Sequence, residues 1–266
     1  LFTTTRSVYF DVNDTLLTKF YEQVFLRDAN GRVQTMGELL MNSENNSSAN
    51  LNKRSFTLIG DPALRLATPE NRVVVTHVNG NPIDSYLDTL RALDNATITG
   101  YVADYSGSKL TNYNGIVFPR IFDKEKDKQT LGQDDPVFDY VVRENTLYKG
   151  KVTVTNGDFE FDFIIPKDID YTYGNGKIST YANGDNGEAT GGDTRVIVGG
   201  VNPNGIVDSE GPQIELYLNN PNFANGGITD ETPTLVANVF DENGINTVGN
   251  GIGHDITVIL DQNTSD

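Results

Sequence analysis

Lys149-Gly150-Lys151-Val152-Thr153-Val154-Thr155-Asn156-Gly157-Asp158-Phe159-Glu160-Phe161-Asp162-Phe163-Ile164-Ile165-Pro166 decides the fold class of this 266-residue chain. Asn156-Gly157 is the preferred dipeptide of a two-residue type I′ hairpin, because both central positions need positive φ. The turn sets a register in which Thr155 faces Asp158, Val154 faces Phe159 and Val152 faces Phe161. On the other side Thr153 meets Glu160 and Lys151 meets Asp162. One side is apolar and the other polar or ion-paired, which predicts a half-buried antiparallel sheet.

The same period-two pattern extends outward from this hairpin. Upstream, Val73 to Val78, Ala96 to Ala103 and Gly115 to Phe122 read as strands, with Asp104-Tyr105-Ser106-Gly107 as a turn between two of them. Downstream, Asp168 to Gly192 is rich in Gly, Asn and Asp, and reads as glycine-rich loops around one strand, Ile178 to Ala182. Thr194 to Val198 predicts a further strand ended by Gly199-Gly200. A linker is expected near Asn202 to Pro212, after which alternation restarts. Ile214, Leu216 and Leu218 share one strand face, as do Leu235, Ala237 and Val239, and then Ile256, Val258 and Leu260. Only about three strands fit there, so a second sandwich is expected to be cut short.

Before Pro69 the period is helical. Leu16, Leu17, Phe20, Tyr21, Val24 and Phe25 predict a helix capped by Asn13 and stopped by Asn30-Gly31. Thr35-Met36-Gly37-Glu38 has capping-box form and opens a second helix, which the polar run Asn42 to Asn52 should end. Ser55 to Ile59 reads as a short buried strand closed by Gly60-Asp61-Pro62. Two helices and one strand cannot cover each other's apolar faces, so the chain is expected to begin inside a domain. The expected fold class is mainly β: a short α/β remnant over 1–68, an antiparallel β-sandwich over 69–207, and the start of a second over 208–266.

Composition narrows the chemistry. The net charge of −17 repels phosphate backbones, so nucleic acid is not an expected partner. There is no cysteine, which removes disulfides, thiolate zinc sites and a thiol nucleophile from these residues. The start, Leu1-Phe2-Thr3-Thr4-Thr5-Arg6, has no signal-peptide pattern, and no apolar run reaches the ~20 residues of a spanning helix. His77 and His254 lack neighbouring Cys, His or carboxylate clusters and read as structural. Asp241-Glu242-Asn243-Gly244 and Asn183-Gly184-Asp185-Asn186-Gly187 offer oxygens to Ca²⁺, but neither has full calcium-loop spacing. The glycine-rich stretch 174–192 lacks the strand-then-helix context of a phosphate cradle. No catalytic, cofactor or metal residue is assigned from this chemistry.

Two groups of segments resemble a known family. Asn52-Lys53-Arg54-Ser55-Phe56-Thr57-Leu58-Ile59-Gly60-Asp61-Pro62-Ala63-Leu64-Arg65-Leu66 resembles the closing strand of the caspase-like domain of gingipain-family cysteine peptidases, and Thr3 to Tyr9 with its following helix is similar to a preceding part. Asp208 to Leu218, Phe240 to Asn246 and Gly251 to Ile256 resemble the immunoglobulin-like modules of the family's type IX secretion sortases. The resemblance implies a parent protein at the outer-membrane surface of a Gram-negative bacterium. That parent removes C-terminal sorting domains from cargo and transfers the new end to lipopolysaccharide, beside the outer-membrane barrel PorV. It also implies a Cys-His pair lying outside this chain; neither His77 nor His254 matches the family's histidine, and Gly60, Asp61 and Pro62 are read as a structural turn. Two rivals are a non-enzymatic adhesin or glycan-binding sandwich and a secreted gingipain-like protease.

Overall fold

The computed structural model describes residues 2–28, 31–47, 51–85, 89–133, 136–205, 210–242, 245 and 258–259. The chain divides into two compact units: one of Leu1–Arg72, Ala103–Lys109 and Gly187–Ala189, the other of Val73–Val102, Leu110–Asn186 and Thr190–Asp266. Among the described residues strand far outweighs helix, so the fold is mainly β.

The first unit contains β1 (Phe2–Thr4), α1 (Phe10–Gln23), α2 (Met36–Asn46) and β2 (Phe56–Leu58). β1 and β2 pair antiparallel with Thr3 opposite Thr57. α1 starts earlier than expected: the Asn13 N–H already donates to the Tyr9 carbonyl inside the first turn, and no side chain caps the helix. It also stops earlier, at Gln23. Asn30 lies outside the described residues, and Gly31, at φ +77°, closes a later turn by donating to the Asp28 carbonyl. A Cβ on Gly31 would lie 2.7 Å from the Tyr105 ring, so glycine is required there for space as well as for φ. α2 opens on the expected capping box, with Glu38 N–H donating to Thr35 Oγ1 at 3.2 Å and Thr35 N–H donating to Glu38 Oε2 at 2.8 Å.

α2 runs on through part of the polar stretch that was expected to end it. Ser43 Oγ donates to the Leu39 carbonyl and Asn46 Nδ2 to the Asn42 carbonyl, so these side chains bond back along the helix instead of leaving it. β2 is shorter and more open than expected. Ser55 belongs to the preceding turn, the strand is half-buried, and Ile59 is exposed.

The remaining strands are β3 (Asn71–Val78), β4 (Asn81–Pro82), β5 (Thr89–Ala92), β6 (Asn95–Ala103), β7 (Gly115–Phe122), β8 (Lys126–Gln129), β9 (Asp139–Val142), β10 (Thr146–Lys149), β11 (Val152–Val154), β12 (Asp158–Ile164), β13 (Gly174–Asn175), β14 (Lys177–Gly184), β15 (Gly187–Asp193), β16 (Ile197–Val201), β17 (Gln213–Leu218) and β18 (Leu235–Phe240). The largest sheet has the order β10-β7-β14-β15-β3-β6-β12, with β11 also on β7 and β4 also on β3. Its buried side chains include Val75, Ile98, Val102, Val117, Ile121, Ile178 and Ala182. Each larger aliphatic among them contributes roughly 1.5–3 kcal/mol by leaving water.

The Asn156-Gly157 turn forms as expected, with φ of 52° and 83° and a two-bond Thr155–Asp158 bridge. Its strands then part. β11 joins β7 and β12 joins β6, strands that lie next to opposite ends of the sheet order. The expected Val154–Phe159 and Val152–Phe161 ladder is therefore replaced by Val154–Gly115 and Phe159–Gly100 pairs. The Lys151–Asp162 ion pair is absent for the same reason: Lys151 lies 5.9 Å from the Phe118 ring centroid, and Asp162 accepts the Thr97 hydroxyl. Parting satisfies backbone groups along two edges that would otherwise stay open. The apolar side survives, because Val154, Phe159, Phe161 and Phe163 are all buried and Tyr148 stacks on Phe161 at 5.1 Å.

Three further expectations are corrected. The glycine-rich stretch 174–192 is largely strand, contributing β13, β14 and β15. Gly199-Gly200 does not stop its strand but forms an irregularity within β16, where the pairing register shifts between Val198 and Val201. The fold is also not purely antiparallel, since β16 pairs parallel with β5 in the sheet β13-β16-β5. β17 and β18 pair as the alternation predicts, placing Ile214 opposite Val239, Leu216 opposite Ala237 and Leu218 opposite Leu235. Ile256 and Leu260 lie outside the described residues, and Val258 is exposed without strand assignment.

Candidate functional site

His77 sits half-buried on β3, opposite Pro82, with Nδ1 3.0 Å from Thr76 Oγ1. Thr76 also donates to the Thr99 carbonyl, so the ring rests against a hydroxyl already engaged across the sheet. His254 lies outside the described residues. Gly60-Asp61-Pro62 is a turn: Gly60 takes φ +135° and Asp61 Oδ1 accepts the Ala63 N–H at 2.8 Å. The chain then docks on the start of α2, through Gly37 N–H to the Pro62 carbonyl and Met36 N–H to the Leu64 carbonyl.

The Asn183–Gly187 segment forms a hairpin tip. Asn183 and Gly184 are still paired with Ile116 and Gly115, and the Asp185 N–H donates to the Asn114 carbonyl. Asp241 and Glu242 are described, whereas Asn243 and Gly244 are not. Among the described residues no group of three or more His, Asp or Glu is placed to hold a metal ion. No described helix is long and apolar enough to cross a membrane.

Two constellations were not singled out in the sequence. One is a buried ion pair after β7, where Asp123 and Lys124 are 1% and 8% exposed. Lys124 Nζ donates to Asp123 Oδ1 at 2.8 Å and to the Asp170 carbonyl at 2.6 Å, while the Asp170 N–H donates to Asp123 Oδ2. Arg143 bridges the Asp123 and Asn175 carbonyls. Each charge is met by an opposite charge or a carbonyl, as burial demands. The arrangement fastens residues 170–175 to the end of β7 and leaves no group available for chemistry. Adjacent Asp and Lys in sequence carry no signal of this burial.

The other is a cleft of about 390 Å³ within the first unit, lined by Arg27, Arg32, Val33, Arg65, Leu66 and Glu70 among others. Arg27 comes from the segment after α1 and is held by the Gly31 and Pro69 carbonyls, each at 2.7 Å, with its guanidinium 5.9 Å from the Tyr105 ring centroid. Arg65 donates to the Val33 carbonyl. Antiparallel bridges Arg27–Val33 and Thr35–Arg65 set the spacing of the walls. Three arginines spread over 27–65 give no contiguous basic run, so only the folded chain brings them together.

Comparison with known proteins places these features in context. Residues 1–67 match the model of peptidase family C25. The crystal structure of dimeric latent PorU from Porphyromonas gingivalis aligns with 91% of this chain at 32% identity and a TM-score of 0.57. The alignment covers 24% of the PorU chain, so this chain spans about a quarter of that relative's length. The sporulation control protein Spo0M of Bacillus subtilis aligns at 15% identity over 50% of each chain with a TM-score of 0.30, too distant to carry an argument. No curated protein sequence matches the chain.

Proposed function

We propose, from the premise that this is a PorU-like segment, that the chain is the supporting part of a cell-surface sortase of the type IX secretion system. In this reading residues 1–68 end a caspase-like peptidase domain, 69–207 form an immunoglobulin-like sandwich, and 208–266 begin another. What supports the sandwich is one continuous sheet, β10-β7-β14-β15-β3-β6-β12, whose consecutive strands β11 and β12 join β7 and β6 far apart in its order, as a sheet folded over on itself requires. The parent protein removes C-terminal sorting domains from cargo and joins the new end to lipopolysaccharide, beside the barrel PorV. Its thiol nucleophile is supplied by polypeptide outside these residues, since they contain no cysteine. A rigid sandwich positions such a domain against a membrane partner without doing chemistry itself.

The observation that carries the reading is 32% identity to PorU across 91% of the chain. The purified 266-residue chain should leave a sorting-domain peptide intact by mass spectrometry, and turnover would sink the scaffolding role. The C25 match over 1–67 also favours a second reading, a secreted peptidase of that family. Cell fractionation separates the two, because a sortase stays on the surface while a secreted peptidase is released with a cleaved C-terminus.

A further inference from the structure

We infer that the cleft of Arg27, Arg32 and Arg65 binds a small organic oxyanion, a carboxylate or phosphate group carrying a short apolar part. The chain as a whole is acidic at −17, yet this cleft gathers three guanidinium side chains against one lining carboxylate, Glu70. Asp28 and Glu38 lie close enough to feel one another, and Arg65 acts on Glu38 at a distance. None of the three arginines forms an ion pair within 4.0 Å among the described residues. Asp28, Glu38 and Glu70 offset part of this charge at a distance, and an entering anion gains direct charge-assisted hydrogen bonds to the guanidinium groups.

The donors are also set in place before any ligand arrives. Arg27 spends two N–H groups on backbone carbonyls and rests against Tyr105, while Arg65 spends one on Val33. A guanidinium has five N–H groups in a fixed fork, so each keeps donors for a bidentate oxyanion at little further entropic cost. Arg32 differs from both, because its exposed side chain makes no hydrogen bond to a described residue. Its guanidinium can therefore turn to a ligand without breaking a bond that holds the fold. Val33, Leu66 and Ala67 form an apolar wall, and a volume of about 390 Å³ exceeds what a bare anion needs. The ligand therefore carries apolar atoms beside its charge.

The test is isothermal titration of the full chain with phenyl phosphate and, separately, benzoate, at ionic strength fixed with sodium chloride. Saturable one-to-one binding of either probe is expected, and the stronger of the two identifies phosphate or carboxylate as the preferred charge. Arg32→Ala should weaken that binding about tenfold, the loss of one charge-assisted contact. Arg195→Ala, which removes an arginine engaged with Asp193 and Asp84 in the second unit, should leave it unchanged. Because Arg32 holds nothing together, its variant should melt like the parent. Absence of saturable binding, or equal affinity in Arg32→Ala, would overturn the assignment. The inference does not rest on the sortase reading.

Discussion

Gly191 and Gly192 are neighbours on β15 with opposite tolerance for a side chain. A Cβ on Gly191 would lie 2.0 Å from the Val73 carbonyl oxygen, a backbone atom that cannot swing away, whereas one on Gly192 meets nothing closer than 3.9 Å. Gly191→Ala should therefore cost about 1–3 kcal/mol through strand displacement, while Gly192→Ala should stay within about 0.5 kcal/mol of the parent. Urea denaturation of both variants checks this, and equal midpoints would refute the close approach of β15 to β3. The pair also explains a misreading. Gly-Gly in sequence suggests a loop, but one glycine can be there so that two strands come close, and only the neighbouring backbone distinguishes the cases. Tyr105 and Gly31 make the same point, because the residue that demands the glycine lies far away in sequence.

At the scale of elements, α2 is the most legible part of the chain, because Thr35 and Glu38 are three residues apart and their bonds are local. Glu38 is held below the usual carboxylate range, first by the Thr35 N–H and then by its hydroxyl. A depressed carboxyl stabilises the fold above its unfolded pKa and loses that contribution as pH falls through the lowered folded value. Asp104, held down chiefly by the Ser106 hydroxyl, and Asp170, held down chiefly by the Thr172 N–H, act in the same direction. Glu44 opposes them: burial raises its pKa, so its effect turns unfavourable as pH rises through the carboxylate range. Thr35→Ala should cost about 1 kcal/mol at neutral pH, with a smaller penalty in acid, where protonated Glu38 accepts the Thr35 hydroxyl only as a weaker, uncharged partner. Thermal melts across the acid range test this, and a penalty independent of pH would contradict it. The central hairpin was half legible by comparison. Its turn follows from Asn156-Gly157, but the destinations of β11 and β12 depend on partners 35 or more positions away, which local alternation does not encode.

For the whole molecule, charge sets an expectation that no single contact does. With 37 acidic against 20 basic residues, the folded chain repels itself, and salt screens exposed charges over a distance of about 10 Å at 0.1 M. The melting temperature should rise as sodium chloride goes from millimolar to physiological concentration, and calorimetry showing a fall would argue that ion pairs outweigh the repulsion. The mainly β class was legible because alternation repeats along the chain, whereas the parallel pairing of β5 with β16 was not, since each strand reads alike whichever way its neighbour runs. That pairing governs the order in which the fold is completed. Thr89–Ala92 meets Ile197–Val201, and nearby Asn202 bonds Asp94 from 108 positions away. A polypeptide emerging N-terminus first, from a ribosome or through a translocation channel, must therefore carry Thr89–Ala92 unpaired until Ile197–Val201 follows, which makes this small sheet a clasp that fastens late relative to its own first strand.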